Sequence, residues 1–118
     1  IPHGCANAMY LPYVIQYNAK EAAGRYADIA RFVGLDGKDD MQLTNKLIEK
    51  INEYHRALSI PKSMKEWGVP EEEFKAKVSR IAKEAVGDAC TGSNPRGITP
   101  AEMEQLLNKI YYGENVEF

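Results

Sequence analysis

The first candidate for chemistry in this sequence is a histidine close to its start. His3 lies between Pro2 and Gly4, so its imidazole sits on a restricted backbone and Gly4 has no side chain to shield it. Neutral imidazole is the commonest protein donor to divalent transition metals, and this setting therefore suits a metal ligand. An exposed terminal histidine without a role is the alternative interpretation, which spacing alone does not exclude.

The remaining residues do not complete a metal site with His3. Such a site needs three or more ligands, and the only other histidine, His55, is far along the chain with no ligand spacing around it. Asp36, Asp39 and Asp40 lack the spacing of an EF-hand loop, including its glycine and terminal glutamate. We interpret His55 as a boundary residue of a helix face. The chain by itself is therefore not expected to hold a complete metal centre.

A second candidate region is the loop at residues 90–97, which reads Cys-Thr-Gly-Ser-Asn-Pro-Arg-Gly. The Cys90 thiol could reach a pocket from this loop, although the usual fate of a lone cysteine is a small buried apolar residue. The sequence offers Cys90 no basic partner and gives no support for a nucleophile. Arg96 could fix the loop, contact a phosphate or simply face water.

The other common catalytic arrangements are missing from the sequence. Glu71, Glu72 and Glu73 form a charge cluster at a predicted helix start rather than a pair of catalytic carboxylates. No glycine-rich phosphate loop and no Ser/His/Asp set can be assembled. No catalytic residue is therefore predicted.

These residues must be positioned by helices, because nearly all of the chain follows a helical period. The segment Gly4–Tyr17 is apolar almost all round, which predicts a helix buried on most sides, and Pro12 should bend it. A separate amphipathic helix is predicted over Ala19–Val33, with Gly34 as its C-terminal cap. The residues expected on its apolar face are Ala22, Tyr26, Ile29, Ala30 and Val33.

The middle of the chain predicts one long helix and one single turn. Asp39 or Asp40 can cap a helix that ends at Ile60-Pro61. A single helical turn over Ser63–Trp67 is closed by Gly68. The stripe of the long helix that should be buried consists of Leu47, Ile51, Tyr54 and Leu58.

Two further helices complete the predicted fold. Pro70 takes a first helical position, and Thr99 with Glu102 forms a capping box for the last helix, which Gly113 closes. The expected core residues are Phe74, Val78, Ile81, Ala82 and Ala85 in the first of these helices and Met103, Leu107, Ile110 and Tyr111 in the second. No segment alternates as a strand does, so the predicted fold is all-α, a bundle of about five helices.

Length and composition indicate one small domain of ordinary soluble type. The 118 residues are 44% hydrophobic and 27% charged, with a net charge of −2 and no basic run, which argues against a nucleic-acid partner. The longest apolar stretch, Met9–Ile15, is far short of the ~20 residues of a membrane span. Cys5 and Cys90 form no C-x-x-C pair, so a reducing cytoplasm is the expected location.

The start of the chain suggests a fragment boundary. It opens at Ile1 without an initiator methionine and without a polar lead-in, directly at the candidate ligand His3. A native N-terminus usually frays in solvent, so we expect this chain to be part of a longer polypeptide.

Several motifs together resemble the iron-containing (group III) alcohol dehydrogenases. Residues 2–8, Pro-His-Gly-Cys-Ala-Asn-Ala, look like the P-H-G-x-x-N-A segment of that family. Tyr26–Ala30, Ile60–Ser63 and Asp88–Arg96 are similar to later family segments in the same order. The first and last motifs are specific in combination, and the resemblance covers essentially the whole chain.

The resemblance implies that residues 1–118 are a single C-terminal helical domain of a dehydroquinate-synthase-like fold, with its N-terminal dinucleotide-binding domain absent. In the family one aspartate and three histidines hold a divalent metal, iron or zinc, between the two domains. His3 maps onto the last of those histidines, and the other ligands would lie upstream of Ile1. Cys90 maps onto a cysteine that borders the substrate and nicotinamide pocket.

The activity implied by the resemblance is interconversion of primary alcohols and aldehydes with NAD(H) or NADP(H). The metal polarises the substrate oxygen, and hydride passes to or from the nicotinamide. The isolated chain is expected to be inactive and to bind neither cofactor tightly. Its expected partners are a small alcohol or aldehyde, its own N-terminal domain and further copies of the full-length chain in a homo-oligomer. The resemblance assigns no acid, base, nucleophile or cofactor-binding residue.

Two alternatives remain open at this point. Tyr111-Tyr112-Gly113 resembles the end of bifunctional acetaldehyde/alcohol dehydrogenases, whose final module belongs to the same family. A stand-alone helical binding module is the other alternative. It would use the apolar Gly4–Tyr17 helix to dock a partner, because so apolar a helix in a short chain needs cover.

Overall fold

The computed structural model describes residues 3–118 and contains no strand in that range. Its α-helices are α1 (His3–Phe32), α2 (Asp40–Ala57), α3 (Met64–Trp67), α4 (Glu71–Gly87) and α5 (Pro100–Tyr112), and a 3₁₀ turn (Thr91–Ser93) lies between α4 and α5. The predicted all-α bundle of about five helices is confirmed. No helix within residues 3–118 is both long and apolar enough to span a bilayer.

Helix α1 joins the two helices that the sequence predicted around Asn18. Within α1 the backbone leaves helical values at Ala22 (φ −130°, ψ 19°) and not at Pro12, where a bend was expected. The Thr44 hydroxyl of α2, which donates to the Asp40 carbonyl oxygen at 2.8 Å, also lies 3.3 Å from the carbonyl oxygen of Ala23, directly after the break. A side chain bonded into the helix ladder is a recognised cause of a kink. The predicted boundary was wrong because Asn18 is held inside the helix by tertiary contacts.

Local capping follows the sequence closely. The side chains of Asp39 and Ser63 accept hydrogen bonds from the main-chain N–H groups of Gln42 (2.8 Å) and Glu66 (3.0 Å). Such bonds satisfy N–H groups that have no partner within the helix. Pro70 is the residue before α4 and not its first helical residue, a shift of one position from the prediction.

The capping box of α5 is present with both of its bonds. The Glu102 N–H donates to the Thr99 hydroxyl oxygen at 3.2 Å, and the Thr99 N–H donates to the Glu102 carboxylate at 3.0 Å. The helix ends at Gly113, whose φ of 72° lies in the left-handed region that glycine adopts without strain. These bonds fix both ends of the helix that follows the candidate loop.

Two clusters of buried side chains hold the helices together. Ala27 and Ala30 of α1 pack on Leu43 and Leu47 of α2, and the alanines allow the two helices to approach closely. The larger cluster joins α1, α3, α4 and α5 through Met9, Tyr13, Tyr17, Met64, Phe74, Val78, Leu106, Ile110, Tyr111 and Val116. The Phe74 and Tyr111 rings stack at 4.3 Å between centroids, so α4 and α5 are fixed to each other below the candidate loop.

Some residues predicted to be buried are exposed. Tyr54 and Leu58 are more than half exposed, and the buried face of α2 is instead formed by Leu43, Thr44, Leu47 and Ile48. Ile29, Val33 and Ile81 are also exposed by about half or slightly less. Periodicity locates an apolar stripe, but where that stripe is covered depends on where the partner helix lies.

Candidate active site

His3 is the first residue of α1 and is exposed. Its Nε2 lies 3.0 Å from the side-chain amide nitrogen of Asn7, one helical turn further on. The direction of this bond depends on the tautomer of the ring, so the pair fixes the position of the ring and not that of its proton. Asn7 therefore orients the imidazole on the outer face of the first turn. Pro2, expected to restrict the backbone before His3, lies outside the described residues.

Within residues 3–118, the donor set available to a metal at His3 is a single imidazole. Among residues 3–118 no three His, Cys, Asp or Glu side chains are grouped so that they could hold a metal ion. His55 faces a separate small cavity between α1 and α2, together with Met9 and Pro12. Burial lowers the pKa of His55, which is typical of a packed helix-face histidine. His3 thus fits one corner of a metal site, and the described residues do not supply the others.

Cys90 and Asn7 border the same cavity. This cavity of about 760 Å³ lies between α1, α4, α5 and the 90–97 loop. Its polar lining includes Asn7, Cys90, Thr91 and Asn94, and its apolar lining includes Tyr10, Val14, Ile81 and Leu107. Cys90 is exposed, so the interpretation of a buried apolar cysteine is wrong. The fold thus places Cys90 and Asn7, the hydrogen-bond partner of His3, in the wall of one cavity.

The Cys90 end of the loop is anchored to the end of α4. The Asp88 carboxylate accepts a hydrogen bond from the Cys90 N–H at 2.8 Å. The Thr91 hydroxyl donates to the carbonyl oxygen of Ala85, and the Ser93 hydroxyl donates to that of Cys90 at 2.8 Å. Short side chains that bond to nearby backbone favour such turns over continued helix. These bonds explain why α4 stops before Cys90.

The other end of the loop is joined to α1 by a reciprocal pair of amides. Asn18 donates to the Asn94 side-chain oxygen at 2.9 Å, and Asn94 donates to the Asn18 side-chain oxygen at 2.7 Å. Asn94 also donates to the carbonyl oxygen of Arg96 at 2.7 Å. Asn18 is only 2% exposed, so water cannot replace these bonds easily.

Arg96 completes this attachment. Its guanidinium lies over the Tyr17 ring at 4.0 Å from the centroid, and its Nη1 donates to the carbonyl oxygens of Tyr17 and Phe118, each at 2.8 Å. The Tyr17 hydroxyl donates in turn to the carbonyl oxygen of Gly97. Burial raises the pKa of Tyr17, and the charge of Arg96 opposes that shift. Of the three interpretations of Arg96, the structure supports fixing of the loop.

The last residues of the chain cover this attachment. The Val116 N–H donates to the Gln16 side-chain oxygen at 2.8 Å, and the Phe118 ring lies 5.6 Å from that of Tyr17. Val116 is buried in the larger core cluster. The chain after α5 thus folds back over the part of α1 that holds Arg96.

Sequence reasoning missed Asn18 as a member of this region. A possible signal was present, because Asn18 is an amide residue between Tyr17 and Ala19 in a largely apolar segment. A buried amide requires a partner. Asn18 donates to the Tyr26 hydroxyl at 3.2 Å and to Asn94, but Asn94 is 76 residues away and no local pattern identifies it.

Comparison with known proteins places these features in a family. The family model described as "Fe-containing alcohol dehydrogenase family, C-terminal" matches residues 1–111. The NADPH-dependent butanol dehydrogenase of Clostridium saccharobutylicum is 48% identical over 118 residues, which are 100% of this chain and 30% of that protein. The bifunctional aldehyde-alcohol dehydrogenase of Escherichia coli (strain K12) is 37% identical over 98% of this chain and 15% of that protein.

A solved structure shows the same fold. The iron-containing alcohol dehydrogenase from Thermococcus thioreducens matches with a TM-score of 0.85 and 37% identity, over 97% of this chain and 29% of that one. The present chain therefore spans less than a third of the length of each protein named in these comparisons.

Proposed function

Because this chain belongs to the Fe-containing alcohol dehydrogenase family, we propose that it is the C-terminal helical part of an enzyme that interconverts primary alcohols and aldehydes. The match of the family model to residues 1–111 carries this proposal. It is supported by the cavity that is lined by both Cys90 and Asn7, the hydrogen-bond partner of His3. The dinucleotide-binding domain and the other metal ligands would belong to the remainder of a longer polypeptide.

In this proposal His3 is one ligand of a divalent metal, iron or zinc. The metal, when bound, supplies Lewis-acid polarisation of the substrate oxygen, and a bound NAD(H) or NADP(H) supplies or accepts the hydride. His3 contributes a neutral imidazole, and Asn7 orients that ring from the next turn of α1. The exposure of His3 suits a ligand that is completed by side chains from outside the described residues.

The rest of the cavity would bind the organic part of the substrate. Tyr10, Val14 and Leu107 offer apolar surface to a carbon chain and exclude water from it. Cys90 would form part of the wall beside the reacting carbon. No proton transfer is assigned to Cys90, because its hydrogen bonds within residues 3–118 are made by its backbone N–H and carbonyl oxygen and none by its thiol.

The ligand assignment can be tested in the whole natural polypeptide that contains this chain. We expect His3→Ala to lower both bound metal, measured by elemental analysis, and aldehyde reduction, measured by nicotinamide absorbance. His55→Ala is the matched control and should change neither, because His55 faces a different cavity. Full metal content together with full activity in His3→Ala would remove His3 from the site.

The identity of the parent enzyme is also part of the proposal. The higher identity to the butanol dehydrogenase than to the bifunctional enzyme favours a stand-alone dehydrogenase. Family membership places the chain among enzymes, so the stand-alone binding module is set aside. The cytoplasmic location and the homo-oligomer stay predictions, which cell fractionation and light scattering of the whole polypeptide can test.

A further inference from the structure

We infer that Asn18, Asn94 and Arg96 are positioning residues that hold the Cys90 wall of the cavity against α1. This inference rests on the proposed function, since it gives that wall a role in substrate turnover. None of the three side chains needs to touch substrate. Their effect is transmitted through the placement of the loop at residues 90–97.

One face of α1 provides the common frame. Asn7, Tyr10, Val14 and Tyr17 all line the cavity and recur at the spacing of one helix face. The backbone keeps helical values from the start of α1 until Ala22. A loop attached at Tyr17 and Asn18 is therefore placed relative to His3 by a continuous stretch of helix.

The attachment of the loop to α1 consists of hydrogen bonds that require defined side-chain orientations. The reciprocal amide bonds of Asn18 and Asn94 (2.9 and 2.7 Å) require both side chains in one orientation. Arg96 adds a stacked contact at 4.0 Å and two bonds to carbonyl oxygens. A lysine has no planar group that could stack on Tyr17 and bond in this way.

The two ends of the loop are attached to different helices. Thr91 and Asp88 bond the Cys90 end to α4 and to the loop itself, without any atom of Arg96. Phe74 and Tyr111 hold α4 to α5 away from the attachment. Loss of the Arg96 bonds should therefore loosen the attachment of the loop to α1 while the helical core stays folded.

The test uses the whole natural polypeptide with Arg96→Lys, and Arg80→Lys as the matched control. Arg80 is an exposed α4 residue whose side chain bonds to Glu84 and not to the loop. The first measurement is the rate of iodoacetamide alkylation at Cys90, followed by peptide mass spectrometry, with Cys5 of α1 as the internal reference. The second is kcat and KM for aldehyde reduction at verified metal content.

We expect Arg96→Lys to increase alkylation of Cys90 several-fold while the rate at Cys5 is unchanged. We also expect kcat/KM to fall by about tenfold at unchanged metal content, since displacing a group by an ångström can lower rates by as much as ~100-fold. Arg80→Lys should match the wild type in both measurements. Equal rates at Cys90 and equal kcat/KM in folded Arg96→Lys would overturn the inference.

Two further outcomes are decisive. Equal acceleration at Cys5 and Cys90 would mean that Arg96 supports general stability only, and would also overturn the inference. If Arg96→Lys does not fold, Asn94→Ala takes its place, because it removes both bonds to Asn18 and leaves the bonds of the Arg96 guanidinium. An unchanged Cys90 rate in Asn94→Ala would then overturn it. If the wild type reduces no aldehyde, the proposed function fails, whereas the alkylation rates still test the attachment.

Discussion

The start of α1 and the loop at residues 88–97 border one cavity, but they are held by different kinds of contact. Within residues 3–118 the His3 imidazole is held by one bond to an exposed neighbour, Asn7. The loop is held by a buried amide pair and by an arginine with three contacts. The described residues therefore build the Cys90 wall of the cavity by themselves, whereas His3, the proposed ligand, is held by far fewer contacts.

The largest difference in stability between the two regions is expected when an asparagine is substituted in each. Asn94→Ala should lower the free energy of unfolding by about 2 kcal/mol, because it removes both bonds between Asn94 and the buried Asn18 amide, including the one that the Asn18 oxygen accepts. Asn7→Ala should change it by less than about 0.5 kcal/mol, because Asn7 is exposed. Urea unfolding followed by circular dichroism measures both. Similar losses for the two variants would contradict the contrast.

An effect of about half that magnitude is expected when the cap of α5, the helix that follows the loop, is removed. Thr99→Ala deletes the hydroxyl that accepts the Glu102 N–H, and we expect a loss of about 1 kcal/mol. The comparison variant is Ser63→Ala, which removes the corresponding hydroxyl at the start of the short α3. Thermal unfolding of both variants measures the loss. A Thr99→Ala protein as stable as the wild type would show that the capping box does not stabilise the start of α5, next to the loop.

A smaller effect is expected from Gln16→Ala. This change removes the oxygen that accepts the Val116 N–H and should destabilise the chain by about 0.5–1 kcal/mol. Hydrogen exchange at Val116 should accelerate, because the segment after α5 loses its tie to α1. Exchange at Leu106 in α5 is the internal control. Unchanged exchange at Val116 would show that other contacts alone hold this segment over Arg96.

The smallest expected effect is a dependence of stability on pH at the capping box. The hydrogen bond from the Thr99 N–H is the main cause that lowers the pKa of Glu102 from its ordinary 4.5. A carboxyl group with a lowered folded-state pKa stabilises the protein above its unfolded pKa and loses that contribution as the pH falls through the folded value. The free energy of unfolding of the wild type should thus fall more steeply below pH 4.5 than that of Glu102→Gln. Parallel pH profiles of the two proteins would contradict this assignment.

Two of the capped helix starts were well predicted from the sequence, because a cap is made by residues three positions apart. Asp39, one of two predicted candidates, and Thr99 cap helices, and Gly68 and Gly113 end helices as predicted. The buried faces were predicted less well. Leu58 and Val33 lie on apolar stripes yet are exposed, since burial requires a neighbouring helix at that height and angle.

The candidate site divides in the same way. His3 and Cys90 were found from short motifs, and their roles as ligand and cavity wall stay predictions. Asn18 was missed, and Arg96 was left with three interpretations, because both depend on a contact between residues far apart in the chain.

The sequence by itself determined that the chain is helical, where most of its helices begin and end, and which family its motifs resemble. Those properties depend on periodicity, caps and short motifs, which act over a few residues. Only the tertiary structure decided that α1 continues through Asn18, that Cys90 and the partner of His3 share a cavity, and that Arg96 binds backbone rather than solvent. These features depend on which helix faces meet, and a directional bond between distant residues exists only once those faces are packed together.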